Sequence, residues 1–391
     1  MELTRKQEEG LKIAVDRFRK GEKYTCIAGY AGTGKSTLVR FIVDALQINE
    51  ADICYATFTG KAAQVLLKKG NKNVSTLHKL LYRSIPKPDG GFVRIPVTEI
   101  PYDIVIVDEV SMAPKTLMNL LFRHNVHVIC LGDPFQLPTI DKEEDNGLLA
   151  HPHIFLDEVM RQAAESEIIR LTMAIREGRP LQQAVTENKE VLIYNKADLN
   201  TGMLRWADQI LVATNATRIS INNQMRQMLG RGNRPEDGDK IICLRNYWET
   251  LADNAEPLVN GTIGYLDNSF KSFTQVPKYM GGQTIDVTVG KFTTDSGSVF
   301  DGLGMDTHMI LTGEKCVDWK TAYKLNKNPK TQGVLPLEFT YGYAITCHKA
   351  QGSEWDKVLV LEEKFPFDKI EHARWLYTAC TRASEKLVLV R

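Results

Sequence analysis

The chain has 391 residues, 43% apolar and 25% charged, the balance of a folded protein with material for more than one core. Its net charge of +1 excludes a uniformly basic or acidic surface, so a polyanion would have to be met by a local groove of lysine and arginine. The seven cysteines are scattered and odd in number, the N-terminus has no apolar leader and no run approaches bilayer length, which argues against a disulfide scaffold, a zinc site and a membrane span and fits a soluble protein of a reducing cytosol.

An apolar run at 24–28 leads into a glycine loop at 29–37, where Gly29, Gly32, Gly34, Lys35, Ser36 and Thr37 have the spacing of a phosphate-binding loop; a helical pattern follows at 38–43. Strand, glycine turn and helix start aim backbone N–H groups at a triphosphate, with Lys35 reaching the β and γ phosphates and Ser36 holding magnesium. Residues 85–96 carry Asp89, Gly90 and Gly91, a hairpin signal with Phe92 beside the turn, although Pro86, Pro88 and Pro96 also suit an irregular surface loop.

A β-branched run at 103–107 ends in Asp108 and Glu109, as expected of a buried parallel strand whose carboxyl end meets a ligand. There Asp108 would complete a magnesium shell and Glu109 would orient or deprotonate an attacking water. Without the upstream glycine loop, the same acids would read as a helix cap. The next strand, 126–131, ends in Gly132, Asp133, Pro134 and Gln136; this turn either sets Asp133 and Gln136 beside the terminal phosphate or is a plain proline turn. His151 and His153 have no partner at metal-ligand spacing and read as loop.

A further strand falls at 209–214. From about 235 to 335 glycine and threonine rise, and alternating runs such as 284–289 predict a small β domain of antiparallel strands. The lysine-rich stretch 314–330 reads as a helix that breaks at Asn328 and Pro329, with a solvated face as its first reading and nucleic-acid contact as its second.

The glycine loop, the segment from Asp108 to Met112 and the turn from Gly132 to Pro138, in this order, resemble the motifs of superfamily 1 helicases. Within that superfamily the chain is most similar to the RecD-like group, superfamily 1B, which includes the phage Dda helicases. Gln7, the segments 56–63 and 75–81, the segment 156–162 with Arg161, and the segments 343–354 and 376–383 with Arg382 continue the resemblance.

The resemblance implies an α/β fold of two RecA-like domains with doubly wound parallel sheets, a β-hairpin insertion and a small SH3-like β insertion. The expected division is 1–150 for the first RecA-like domain with the pin hairpin at 83–101 inserted, 151–234 plus 336–391 for the second, and 235–335 for the SH3-like insertion. It implies an ATP hydrolase that uses Mg2+, moves 5′ to 3′ on single-stranded DNA and unwinds the duplex ahead.

Lys35, Asp108, Glu109, Gln136, Arg161 and Arg382 would form the catalytic set, the arginines neutralising the charge of the transferring phosphoryl group. Gln7 would read adenine; Gly32, Thr33, Gly34, Lys35, Ser36, Thr37, Gly352 and Glu354 would complete the nucleotide site, with Ser36 and Asp108 on magnesium. Thr57, Phe58, Lys61, His78 and Phe92, with Thr346, His348 and Lys349, are the DNA candidates: basic and hydroxyl groups suit phosphates, and flat rings suit bases. Forked duplex and single-stranded DNA are the expected partners, with single-strand-binding, replication or recombination proteins beside them, for a cytoplasmic monomer. Other readings are an ATP-switched nucleic-acid clamp and a helicase that tracks RNA.

Overall fold

The computed structural model describes residues 3–86, 92–139, 141–184, 188–254, 256–328, 330–331 and 333–391. The chain forms two compact units: Met1–Tyr82, Pro96–Ala213 and Cys347–Arg391 make the first, Arg83–Ile95 and Thr214–Thr346 the second.

The first unit opens on the helix Arg5–Arg19, started by a capping box: Thr4 accepts the N–H of Gln7 (3.3 Å), and the Gln7 side chain accepts the N–H of Thr4 (2.9 Å). The apolar runs that follow become a parallel sheet in the order Val74–Thr76, Ile53–Thr57, Ile104–Val107, His127–Gly132, Tyr24–Gly29, Ile154–Leu156. Ile104–Val107 and His127–Gly132 are buried along their whole length, which explains why they read as continuous apolar runs and not as alternation.

One face of this sheet packs Ile27, Ile104 and Ile129 against Leu38, Val39 and Ile42 of the helix Lys35–Leu46. The other packs Val105, Val107 and Val128 against Leu77, Leu117, Met118 and Leu121. The last strand, Ile154–Leu156, pairs with Ile27, Ala28 and Gly29, so the first sheet continues past residue 150.

A second parallel sheet in the same unit has the order Gln209–Val212, Trp355–Leu361, Ala383–Val390, Val191–Tyr194. The helices Glu167–Glu177 and Lys369–Cys380 accompany it. Glu167 is fully buried at the start of its helix, and its carboxylate accepts the N–H groups of Asn188 (3.0 Å), Glu190 (2.9 Å) and Val191 (3.0 Å). A buried acid is tolerated because these donors replace the water it gave up.

The second unit holds an antiparallel sheet in the order Val299–Asp306, Thr284–Thr294, Ile263–Gln275, Lys240–Cys243, Phe339–Tyr341. Phe292 meets Phe300 and Phe339 in its core, with ring centroids 6.1 Å and 5.2 Å away. The helix Asn215–Met228 belongs to this unit: Asn222 bonds the Tyr341 and Ala344 carbonyls, and Arg226 pairs with buried Asp239 at 3.1 Å. The strands Tyr82–Pro86 and Phe92–Pro96 pair as a two-stranded sheet, and the residues between them and the Phe92 side chain lie outside the described residues.

All seven cysteines are free; Cys316 is half-buried and the others are buried. Among the described residues no helix is long and apolar enough to cross a membrane.

Replacing Glu167 by alanine removes the acceptor of three N–H groups at once, that of Val191 buried. We expect Glu167→Ala to lower the unfolding free energy by about 3 kcal/mol or more, as a fall in the thermal midpoint would show. A midpoint within a degree or so of the parent would mean that the carboxylate does not hold this corner.

Candidate functional site

The carboxyl ends of the first sheet deliver the predicted motifs to one edge, as the crevice rule for parallel sheets requires. Tyr24–Gly29 runs into the glycine loop, where Gly32 (φ 75°) and Gly34 (φ 77°) adopt left-handed backbone. A Cβ on Gly34 would stand 2.5 Å from both the Gln7 amide and the Met160 sulfur, so glycine is required there on two counts. Lys35 donates to the Gly29 (2.8 Å) and Tyr30 (3.1 Å) carbonyls and thus lies folded over the loop. Thr33 is buried with its hydroxyl on the Tyr30 carbonyl, while Ser36 and Thr37 occupy the first turn of the helix, Ser36 on its exposed side.

Gln7 reaches this loop, but not as a free amide. It is buried, its oxygen accepts from Thr4 and its nitrogen donates to the Thr33 carbonyl (3.2 Å). The glutamine expected to read adenine therefore also ties the first helix to the glycine loop.

Asp108 and Glu109 follow the strand Ile104–Val107. Asp108 accepts the N–H of Glu109 (2.9 Å), and Glu109 holds a left-handed backbone (φ 52°), a conformation that non-glycine residues keep chiefly where the surroundings enforce it. From the second sheet, Arg382 brings Nη1 to 3.4 Å of a Glu109 oxygen and 3.3 Å of the Ser353 carbonyl, with Nε on the Thr378 carbonyl (3.1 Å). The other Glu109 oxygen is buried without a hydrogen-bond partner. Asp108, Glu109, Gly352, Glu354 and Arg382 line one cavity of about 160 Å³, joined by Ala62 and Lys69. A Cβ on Gly352 would come within 2.9 Å of Ala62 and Thr59 and 3.2 Å of Glu109.

Burial pushes the Glu109 carboxyl above the ordinary glutamate range, Arg382 pulls it partly back and Asp108 adds a further push. Oxygen donors such as Asp108 and Ser36 suit a hard divalent cation, and the unpartnered Glu109 oxygen beside Asp108 agrees with an ordered water or ion there. Among the described residues no group of three or more His, Cys, Asp or Glu is arranged to hold a metal ion.

The turn after His127–Gly132 is not a plain proline turn. Asp133 is buried, and one of its oxygens accepts the N–H of Phe135 (2.9 Å) while the other accepts the Tyr377 hydroxyl (2.6 Å). That hydroxyl in turn accepts the N–H of Ala31 in the glycine loop (2.8 Å). Asp133 thus reaches the glycine loop through Tyr377. Leu137 donates its N–H to Thr378 (2.9 Å), and its carbonyl accepts from Gln351 (2.8 Å). Gln136 lines a separate cavity of about 180 Å³ with Ser111, Asp133, Asn146 and Arg374.

The DNA candidates divide. Phe58 and His78 lie together, with ring centroids 5.7 Å apart, and Tyr82 extends the row at 6.4 Å from His78. Lys61 occupies the first turn of the helix Gly60–Lys68. Thr57 is buried with its hydroxyl on the Thr59 carbonyl (2.8 Å); it shapes the turn and does not offer that hydroxyl to a strand. His348 and Lys349 lie in the short helix Cys347–Ala350 of the first unit, and burial lowers the His348 imidazole below its ordinary value. Thr346 is buried and belongs to the second unit. Arg161 begins the helix Arg161–Ala164, but its side chain, like that of Phe92, lies outside the described residues. Sequence reasoning gave no role to Tyr377, whose position within an apolar helical run hides its hydroxyl, nor to Arg176, whose guanidinium lies 3.7 Å over the Tyr30 ring.

The raised Glu109 carboxyl has a stability consequence with a definite sign. Its favourable contribution to the fold is full below about pH 4.3, the ordinary glutamate value, and is lost as pH rises toward the folded value. At neutral pH the buried carboxyl is carried at a loss relative to the unfolded chain, so Glu109→Gln should raise the thermal midpoint at pH 7 while leaving it nearly unchanged at pH 4. An equal shift at both values would show that the carboxyl is not perturbed.

Residues 2–194 match the family model of the AAA domain, and residues 341–390 match that of the UvrD-like helicase C-terminal domain. The chain is 27% identical to the ATP-dependent RecD2 DNA helicase of Deinococcus radiodurans over 94% of its own length and 46% of that protein, so it spans less than half of this relative. It is 31% identical to the RecBCD enzyme subunit RecD of Mycobacterium tuberculosis over 94% of its length and 66% of the relative. Among solved structures, Bacteroides Pif1 bound to single-stranded DNA superposes with a TM-score of 0.52 and 17% identity, covering 100% of this chain and 92% of that one, a likeness of fold. Phosphate loop, paired acids and the arginine of the second sheet thus recur in their expected order, and the chain belongs to the superfamily 1 helicases of the RecD and Dda type.

Proposed function

We propose that the chain is an ATP-driven DNA helicase that travels 5′ to 3′ along a single strand and separates the duplex ahead of it. The observation that carries this reading is the cavity in which Asp108 and Glu109 of one parallel sheet meet Gly352, Glu354 and Arg382 of the other. A site divided between two sheets changes with the state of its nucleotide and can move one sheet against the other.

Gly32, Thr33, Gly34, Lys35, Ser36 and Thr37 would hold the phosphates, with Ser36 and Asp108 toward magnesium. Bound MgATP supplies the phosphoryl group and part of the charge neutralisation that its transfer needs. Lys35 would exchange the Gly29 and Tyr30 carbonyls for phosphate oxygens. Glu109, its carboxyl raised by burial, would orient the attacking water and take its proton. Arg382, and Arg161 from the neighbouring segment, would neutralise the charge that develops on the transferring group. Gln7 would bear on the base by giving up one of its bonds to Thr4 or Thr33.

The row Phe58, His78 and Tyr82 offers flat faces to successive bases, and Lys61, His348 and Lys349 would meet the strand beside it. The hairpin of Tyr82–Pro86 and Phe92–Pro96 would part the duplex, with Phe92 against the base being separated. Tyr377 is a positioning residue: its hydroxyl joins the glycine loop to the Gly132 to Pro138 turn, so the phosphates and the second sheet are read by one contact.

Forks bearing only a 5′ or only a 3′ single-stranded tail test the proposal directly. Strand separation of the 5′-tailed fork alone is expected, and Phe92→Ala should slow it several-fold while sparing the ATPase stimulated by single strands. DNA-stimulated hydrolysis without separation of either fork would indicate a nucleic-acid clamp, and stimulation by RNA alone would indicate an RNA track.

Tyr377→Phe keeps the ring and removes the hydroxyl. We expect it to lower DNA-stimulated turnover about tenfold with little change in ATP affinity, the loss of one hydrogen bond to a charged partner. Undiminished turnover would remove Tyr377 from the coupling path.

A further inference from the structure

The second unit carries a surface that the nucleotide site does not use. The helix Trp319–Lys327 is capped by Asp318, which accepts the N–H groups of Lys320 (2.9 Å) and Thr321 (3.1 Å). It is anchored from beneath by Leu325, fully buried in a cluster with Val276, Ile285, Val287 and Val317. Its outer face nevertheless carries rings: Trp319 is 70% exposed and Tyr323 60%. Tyr279, whose hydroxyl accepts from Asn328 (3.3 Å), adds a third ring, 70% exposed, near the end of the helix. Aromatic side chains dominate buried surface in most proteins, so a capped and anchored helix that holds them in water presents a ligand surface, not a frayed end.

The charges on this face share one sign. Lys320 Nζ lies 5.9 Å from the centre of the Trp319 ring, and Lys327 Nζ lies 5.8 Å from that of Tyr323. Lys324 is exposed between them, and residues 319–328 include no acid. Trp319, Tyr323 and Lys327 follow at i, i+4 and i+8, about 6 Å apart along one stripe of the helix. A matching ligand repeats flat faces and negative charges together. A single nucleic-acid strand does so, with bases for the rings and phosphates for the ammonium groups. An acidic peptide would satisfy the lysines but would leave the rings without planar partners.

We propose that the outer face of the helix Trp319–Lys327 is a second binding surface for a single nucleic-acid strand, built on the small β unit and independent of the motif residues of the first unit. It goes beyond the proposed motor and does not require ATP hydrolysis.

The test uses the full chain and a fluorescently labelled oligodeoxythymidine. Trp319→Ala with Tyr323→Ala should weaken binding by about tenfold per ring, the scale of base stacking, with melting temperature and DNA-free ATPase unchanged. Replacing Lys320, Lys324 and Lys327 by glutamine should flatten the salt dependence of binding, because fewer phosphate contacts release fewer counterions. An iodouracil-substituted strand should crosslink to the peptide that contains Trp319 and Tyr323. Unchanged affinity in the ring variant together with no crosslink there would overturn the assignment. So would binding of polyglutamate that the ring variant abolishes, since the partner would then be a protein. Failure of the wild type to unwind forks, with the crosslink present, would sink the motor reading and leave this one standing.

Discussion

The hydroxyl of Tyr377 is the contact on which the first unit's organisation turns. It accepts from the backbone of the glycine loop at 2.8 Å and donates to Asp133 at 2.6 Å, the second bond fully buried. The same turn is fastened again at Leu137, once by Thr378 and once by Gln351. A strand end in one sheet is therefore locked to the helix Lys369–Cys380 and to Gln351 of the other by bonds that cannot all lengthen independently. Such a junction favours discrete arrangements over continuous drift.

Next to this junction, Glu109 concentrates the unfavourable terms. Its backbone is left-handed, one of its oxygens lacks a partner and its carboxyl is raised by burial. Arg382 and the tight approach of Gly352 keep it there. Stabilisation drawn from the apolar faces of the first sheet, where Leu38, Ile42, Leu77 and Leu121 are fully buried, supports this local strain.

What the sequence made legible follows from burial. The strands that end in Gly29, Val107 and Gly132 are enclosed on both faces, so their apolar runs stood out, and the polar residues that follow them fall at carboxyl ends where parallel sheets place ligands. Gly32 and Gly34 were readable because the left-handed backbone there admits little else. Thr57 was misleading: a hydroxyl in a motif looks the same in sequence whether it faces a strand or, as here, its own turn. Tyr377 and Glu167 were hidden because each acts on backbone N–H groups far away in the chain, and nothing in local spacing reports such a partner. The outward rings of Trp319 and Tyr323 sit in a helix whose lysines alone suggested a solvated face; only the burial of Leu325 shows which side is which.

The burial of the cysteines has a chemical corollary. Desolvation pushes the Cys26, Cys54 and Cys347 thiols up to about 12, and the half-buried Cys316 to about 12 as well, so none of these carries appreciable thiolate near neutrality. Peroxide and alkylating agents attack the anion, and the folded molecule offers them little of it. A single cysteine introduced on an exposed loop would accordingly take up a maleimide dye ahead of these four thiols.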